Sequence, residues 1–194
     1  MASMSTGHEH RVCTYAEAEK AIRGHKKIYV NDCFCRGPAK EGKAAWKYCG
    51  HSIDTCMGFE KPKDAPYEVR EIGPREAIKR FEEWKAQGNL FRFMEGEKWV
   101  CFCCSCGCGW FRAEDGSRKK DPCGTSTWIE KTDKAKCTLC GACVPVCAYE
   151  ARSVDGGKIK VKASSCYGCS ACEYACPEGA IEMVKRKPKA GKTR

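Results

Sequence analysis

Apolar positions fall into short, separated segments whose spacing predicts the local elements. Ala77, Ile78, Phe81 and Trp84 recur at i, i+1, i+4 and i+7, the stripe of a helix that buries one face. Pro74 suits its first position and Gly88 the position after its end, so a helix is expected from about Pro74 to Gln87. Near the start, Thr14 and Glu17 have the spacing of a capping box, with Gly24 as the stop of a first helix. Ile28-Tyr29-Val30 reads as a short strand leading into Cys33. Leu90 to Met94 and Trp99 to Cys103 read as two strands joined at Glu95-Gly96-Glu97. From Ala113 to Lys136 the chain is polar, with turn signals at Asp115-Gly116-Ser117 and Asp121-Pro122, and residues 113–132 are expected to be a linker with little structure. The last ten residues, Lys185 to Arg194, carry six Lys or Arg beside Pro188 and Gly191 and read as a disordered basic tail.

Composition changes this picture. Leu, Ile, Val and Phe make up only about 13% of the chain, below the roughly 20% at which an ordinary apolar core becomes doubtful. Cysteine supplies 19 of 194 residues. Such a chain is held together by disulfides or by metal. The cysteine number is odd, and the first ten residues lack the apolar stretch of a secretory signal, so metal in a reducing cytoplasm is the expectation. No run of about 18 apolar residues occurs, which argues against membrane insertion.

The C-terminal cysteines form an internal repeat. Cys137, Cys140, Cys143 and Cys147 recur 29 residues later as Cys166, Cys169, Cys172 and Cys176. Each set reads as a ligand loop, a short helix and a strand. Three thiolates at i, i+3 and i+6 on a tight loop converge on three corners of one iron–sulfur cube, and the fourth reaches the other cube. Cys137, Cys140, Cys143 and Cys176 are therefore assigned to one [4Fe-4S] cluster, and Cys166, Cys169, Cys172 and Cys147 to a second. Zinc sites commonly draw on two separated pairs of cysteines, which this pattern does not match. Residues 137 to 184 resemble a bacterial-type 2[4Fe-4S] ferredoxin. The resemblance implies a small α+β fold with a pseudo-twofold axis and two nearby clusters that pass one electron at a time. Pro177 follows the last cysteine as in that family, whereas Ala148 stands at the matching place in the first set. Tyr149 and Tyr167 are expected to pack against the clusters.

The first block holds Cys33, Cys35, Cys49, Cys56, Cys101, Cys103, Cys104, Cys106 and Cys108. Its Cys-x-Cys-Arg, middle cysteines, helix and dense cysteine run resemble a cysteine-rich region found beside ferredoxin domains in redox proteins of anaerobes. All nine are candidate ligands of an additional site, expected to be a third iron–sulfur cluster rather than zinc. Alternate thiols such as Cys101 and Cys103 share a side of an extended segment, whereas the adjacent Cys103 and Cys104 point apart. His51 reads as solvated or hydrogen-bonded rather than as a ligand, and Arg36 either as a charge partner of thiolates or as a surface residue.

The expected class is α+β, with a small metal-stapled N-terminal α/β domain at 11–112 and a dicluster ferredoxin-like domain at 133–184. The formal charge of +10 favours an acidic docking surface on a redox enzyme or subunit over nucleic acid. Neither a P-loop nor a Gly-x-Gly-x-x-Gly is present. The chain reads as an electron carrier or electron-transfer subunit, with no catalytic residues of its own. A regulator that binds nucleic acid and a small reductase working at the N-terminal cysteines are the alternatives.

Overall fold

The computed structural model describes residues 10–33, 35–36, 49–62, 68–112, 117 and 123–187. Its N-terminal part contains β1 (Arg11–Cys13), α1 (Tyr15–Arg23), β2 (Ile28–Asp32), β3 (Asp54–Gly58), β4 (Val69–Ile72), α2 (Pro74–Ala86), β5 (Leu90–Met94) and β6 (Trp99–Cys103). The six strands form one antiparallel sheet in the order β1-β5-β6-β3-β2-β4. Local chemistry sets the helices. The Thr14 hydroxyl accepts the Glu17 N–H and the Glu17 carboxylate accepts the Thr14 N–H, closing the predicted capping box. Helix α2 opens at Pro74 and buries Ala77, Phe81 and Trp84.

Strand alternation gives the sheet two chemically different faces. Phe91 of β5 and Phe102 of β6 meet edge to face, against Phe81 and Trp84 of α2. Intervening positions carry Arg92, Cys101 and Cys103, and Arg92 is paired in register with Cys101. Asn31 of β2 lies opposite Cys56 of β3 in the same way. One face is therefore aromatic and covered by helix, and the other is lined with thiols.

The C-terminal part contains β7 (Trp128–Thr132), β8 (Arg152–Asp155), β9 (Lys158–Val161), α3 (Ala171–Tyr174) and β10 (Ile181–Lys185). β7 pairs with β10 and β8 with β9, each pair antiparallel. Three sequence expectations need correction. Residues 128–132 are not linker but a strand, because Trp128–Thr132 finds its hydrogen-bond partner only in β10, some fifty residues on. The tail does not begin at Lys185: that residue ends β10, and the Arg186 guanidinium donates to the carbonyls of Trp128 and Cys166. Residues 188–194 of the predicted tail, and 113–116 and 118–122 of the predicted linker, lie outside the described residues. The repeat is also less regular than its cysteines. Only the second set carries a helix, since Pro145 supplies no N–H where Tyr174 stands in the second half.

The two parts share one core. Tyr167, Cys169 and Ala171 belong to the same apolar cluster as Phe81, Phe91 and Phe102. The Tyr15 N–H donates to Ser170 Oγ at 2.8 Å, and Gly124 bonds across to His10 and Val12.

Candidate metal centres

Each half of the repeat builds a tight loop with two residues in the left-handed region. These are Leu139 and Gly141 in the first loop, and Gly168 and Ser170 in the second, again 29 residues apart. Such a backbone turns successive cysteines toward one point. At Gly168 a Cβ would collide with the Trp128 carbonyl, so the second loop can press onto β7 only because that position is glycine.

The cysteines of the two halves interleave. Cys137, Cys140, Cys143 and Cys176 line one cavity, and Cys147, Cys166, Cys169 and Cys172 line another. In each cavity the thiol contributed by the other repeat accepts a backbone N–H four residues on: Ala180 to Cys176 at 3.3 Å, and Ala151 to Cys147 at 3.2 Å. Tyr149 and Tyr167 stack at 4.0 Å on the wall of the second cavity, as packing residues.

Arg152, which sequence reasoning did not single out, lines both cavities. It is 5% exposed. Its Nη1 lies 3.9 Å from Cys172 Sγ and 2.6 Å from the Glu130 carboxylate, and its Nη2 donates to Thr132 Oγ1. Nε has no hydrogen-bond partner. A buried guanidinium with an idle N–H between two sets of thiols suits anionic occupants on both sides. Burial pushes the Cys172 thiol up to about 12 and raises Cys169 as well. Thiols gathered in one such cavity ionise together only around cationic metal. The donor set, its convergence and the local charge thus fit iron–sulfur clusters.

The nine N-terminal cysteines divide between two places. Cys33, Cys35, Cys56, Cys101, Cys103 and Cys108 line one chamber on the thiol face of the sheet, together with Trp99 and Trp110. Neighbouring thiols in the chamber perturb one another: Cys33 with Cys35 and Cys56, Cys56 with Cys101, and Cys108 with Cys35 and Cys103. Donation from Cys108 and Cys33 holds Cys35 well below its ordinary value, and donation from Cys108 lowers Cys103. Arg92 is fully buried over the Trp110 ring, 4.3 Å from its centre and 4.0 Å from Cys103 Sγ, with Nε and Nη2 unpartnered. It too went unremarked in the sequence, where it is one arginine among many. Cys49, Cys104 and Cys106 do not join this chamber. They gather around His51 instead. Arg36 is not a surface residue: it is fully buried and hydrogen-bonded to the Phe102 and Ser52 carbonyls.

Comparison with known proteins bears on the C-terminal part. Residues 136–180 match the family model of the 4Fe-4S dicluster domain. The chain is 37% identical over 73 residues to "Putative electron transport protein YsaA" of Escherichia coli (strain K12), covering 37% of this chain and 42% of that protein. It is 43% identical over 49 residues to the indolepyruvate oxidoreductase subunit IorA of Archaeoglobus fulgidus, covering 25% of this chain and 8% of that one. It is 37% identical over 60 residues to the archaeal-type glutamate synthase [NADPH] of Thermotoga maritima, covering 30% and 12%. The chain thus spans less than half the length of these relatives. No solved structure matches it significantly. Among the described residues no helix is long and apolar enough to cross a membrane. The interleaved thiols and the family match agree: residues 136–180 are a 4Fe-4S dicluster domain.

Proposed function

We propose that this chain is an iron–sulfur electron-transfer protein that relays single electrons to a redox enzyme. The observation that carries the reading is the pair of interleaved four-thiol cavities with Arg152 between them. Cys137, Cys140, Cys143 and Cys176 would hold one [4Fe-4S] cluster, and Cys147, Cys166, Cys169 and Cys172 the other. Bound clusters supply the one-electron chemistry, and the protein supplies ligands, spacing and charge. The six-thiol chamber would hold a third cluster, its anionic charge offset by Arg92.

Burial orders the path. Cys169 belongs to the shared core, near Tyr149, whose hydroxyl lies 3.7 Å from Cys123 at the edge of the N-terminal part. Cys140 is exposed, and the neighbouring Leu139 is 39% exposed. Electrons would therefore pass between the chamber and the surface through the Cys166–Cys172 cavity and then the Cys137–Cys143 cavity. The apolar Leu139 beside an exposed ligand suits a contact with the partner, and the basic surface suits an acidic partner in the cytoplasm. The nucleic-acid reading is not favoured: the β5–β6 hairpin that follows α2 lies inside the sheet and does not project from it.

Anaerobic purification with iron and sulfide counted per chain tests the reading. About 8 irons are expected from the two C-terminal cavities and about 12 with the chamber filled. Each should show a reversible one-electron step in a redox titration. A colourless, iron-free chain that is nevertheless compactly folded would overturn it.

A further inference from the structure

We propose that Cys49, His51, Cys104 and Cys106 form a mononuclear zinc site, separate from the six-thiol chamber and from the C-terminal cavities. The four donor atoms lie within 4.8 Å of one another. His51 Nδ1 is 3.3 Å from Cys49 Sγ and 3.4 Å from Cys106 Sγ, and Cys49 Sγ is 3.6 Å from Cys104 Sγ. Zinc with bonds of roughly 2.3 Å to sulfur and 2.0–2.1 Å to nitrogen has tetrahedral edges of about 3.8 Å between sulfurs and about 3.6 Å from sulfur to nitrogen. The observed separations are those of ligands around one ion. In a cube each thiolate sits on a different iron, so its ligands stand farther apart than these four do. Three thiolates and one imidazole are also an established donor set for structural zinc.

Local structure aims these side chains. Gly50, at φ 77°, turns the chain so that Cys49 and His51 face the same way. Cys104 and Cys106 sit on the turn that follows β6, and the Gly107 N–H donates to Cys104 Sγ at 3.4 Å. Cys103 and Cys104 leave β6 in opposite directions, so the strand itself keeps this group apart from the chamber. His51 meets the edge of Trp84, with ring centres 5.5 Å apart, on the α2 side of the sheet.

Charge supplies an independent observation. Arg36 is fully buried and its Nη1 lies 3.8 Å from Cys104 Sγ. Among the described residues no carboxylate lies within ion-pair distance of it, and its Nε has no partner. Such a buried cation calls for a nearby anion. Zinc with three thiolates and a neutral imidazole carries one net negative charge, which matches the single positive charge of Arg36. Since zinc has no redox chemistry of its own, the site would be a staple. It joins the segment before β3 to the turn after β6 in a chain short of aliphatic core.

The test is elemental analysis of the anaerobically purified full-length protein, followed by X-ray absorption at the zinc edge, where iron does not interfere. One zinc per chain is expected beside the iron, with a shell of three sulfurs and one nitrogen. His51→Ala and Cys106→Ser should each lower zinc at least fivefold with iron and sulfide unchanged. His51→Cys should keep the zinc and convert the shell to four sulfurs, which separates ligation from a general folding defect. Zinc well below one per chain, a shell without nitrogen, or loss of iron rather than zinc in the two variants would overturn the proposal. Because the C-terminal iron is counted separately, failure here leaves the electron-transfer reading standing.

Discussion

Arg152→Gln is the sharpest probe of how the protein sets the potentials of its clusters. The side chain is 2% exposed, its Nη1 stands 3.9 Å from Cys172 Sγ, and it also lines the neighbouring cavity that contains Cys143. Reduction adds one negative charge to a cavity wall that this cation faces. Two unit charges at that separation attract by about 1 kcal/mol in water and about 4 kcal/mol at the effective dielectric of a protein. The added electron is spread over a whole cluster, and Glu130, 2.6 Å from the same Nη1, cancels part of the field. An effect of about 1–2 kcal/mol remains, which at 59 mV per tenfold change is about 45–90 mV. Glutamine removes the charge while keeping a polar side chain of moderate length. The midpoints of both C-terminal clusters should fall by that amount in a redox titration followed by electron paramagnetic resonance. The shift should not vary between pH 6 and 9, because arginine does not titrate there. Arg152→Gln leaves Glu130 buried without its partner, so the measurement is repeated with Glu130→Gln in the same chain, where the fall should be smaller but retain its sign. Midpoints that stay within about 15 mV of wild type in fully loaded protein, or that rise, would refute the argument.

Other substitutions test the remaining links. Cys176→Ser should remove about four irons per chain and abolish the signal of the Cys137–Cys143 cavity while sparing the other; loss confined to the Cys166–Cys172 cavity would disprove the cross-ligation. Gly168→Ala forces a Cβ against the Trp128 carbonyl at φ 74° and should cost more than about 3 kcal/mol, seen as poor iron retention, whereas Gly141→Ala, with open space around it, should cost only about 1 kcal/mol. Asp54 accepts hydrogen bonds from Arg70 and Arg80; burial raises its carboxyl, but these bonds outweigh it and bring the group below its ordinary 3.8. Its contribution is therefore present above pH 3.8 and lost as the pH falls through the lower folded value. Hydrogen exchange in β3 should show Asp54→Asn destabilised by about 1 kcal/mol at pH 7, the gap narrowing toward pH 3. Thr14→Ala removes a helix cap and should lower stability by about 1 kcal/mol in thermal unfolding, with cluster content unchanged.

Features that depend on near neighbours were legible along the chain. The capping box at Thr14 and Glu17, the helix from Pro74, the hairpin strands 90–94 and 99–103 and the 29-residue repeat all arise from spacings of a few residues or from direct repetition. Alternation along β6 even foretold that Cys103 and Cys104 would part. Strand partners were another matter. β7 pairs with a strand about fifty residues away, and β3 lies between β6 and β2, pairings that nothing within either segment specifies. The roles of Arg92 and Arg152 were hidden for the same reason, since an arginine acquires a task only when folding seals it among thiols, and for Arg36 the sequence left a charge partner of thiolates and a surface residue as alternatives. Nine N-terminal cysteines could be counted from the sequence, but their division into six and three, with His51 completing the smaller group, was decided by which face of the sheet each one left. Spacing along the chain thus dictates which way a side chain points, and only the closing of distant loops decides what it points at.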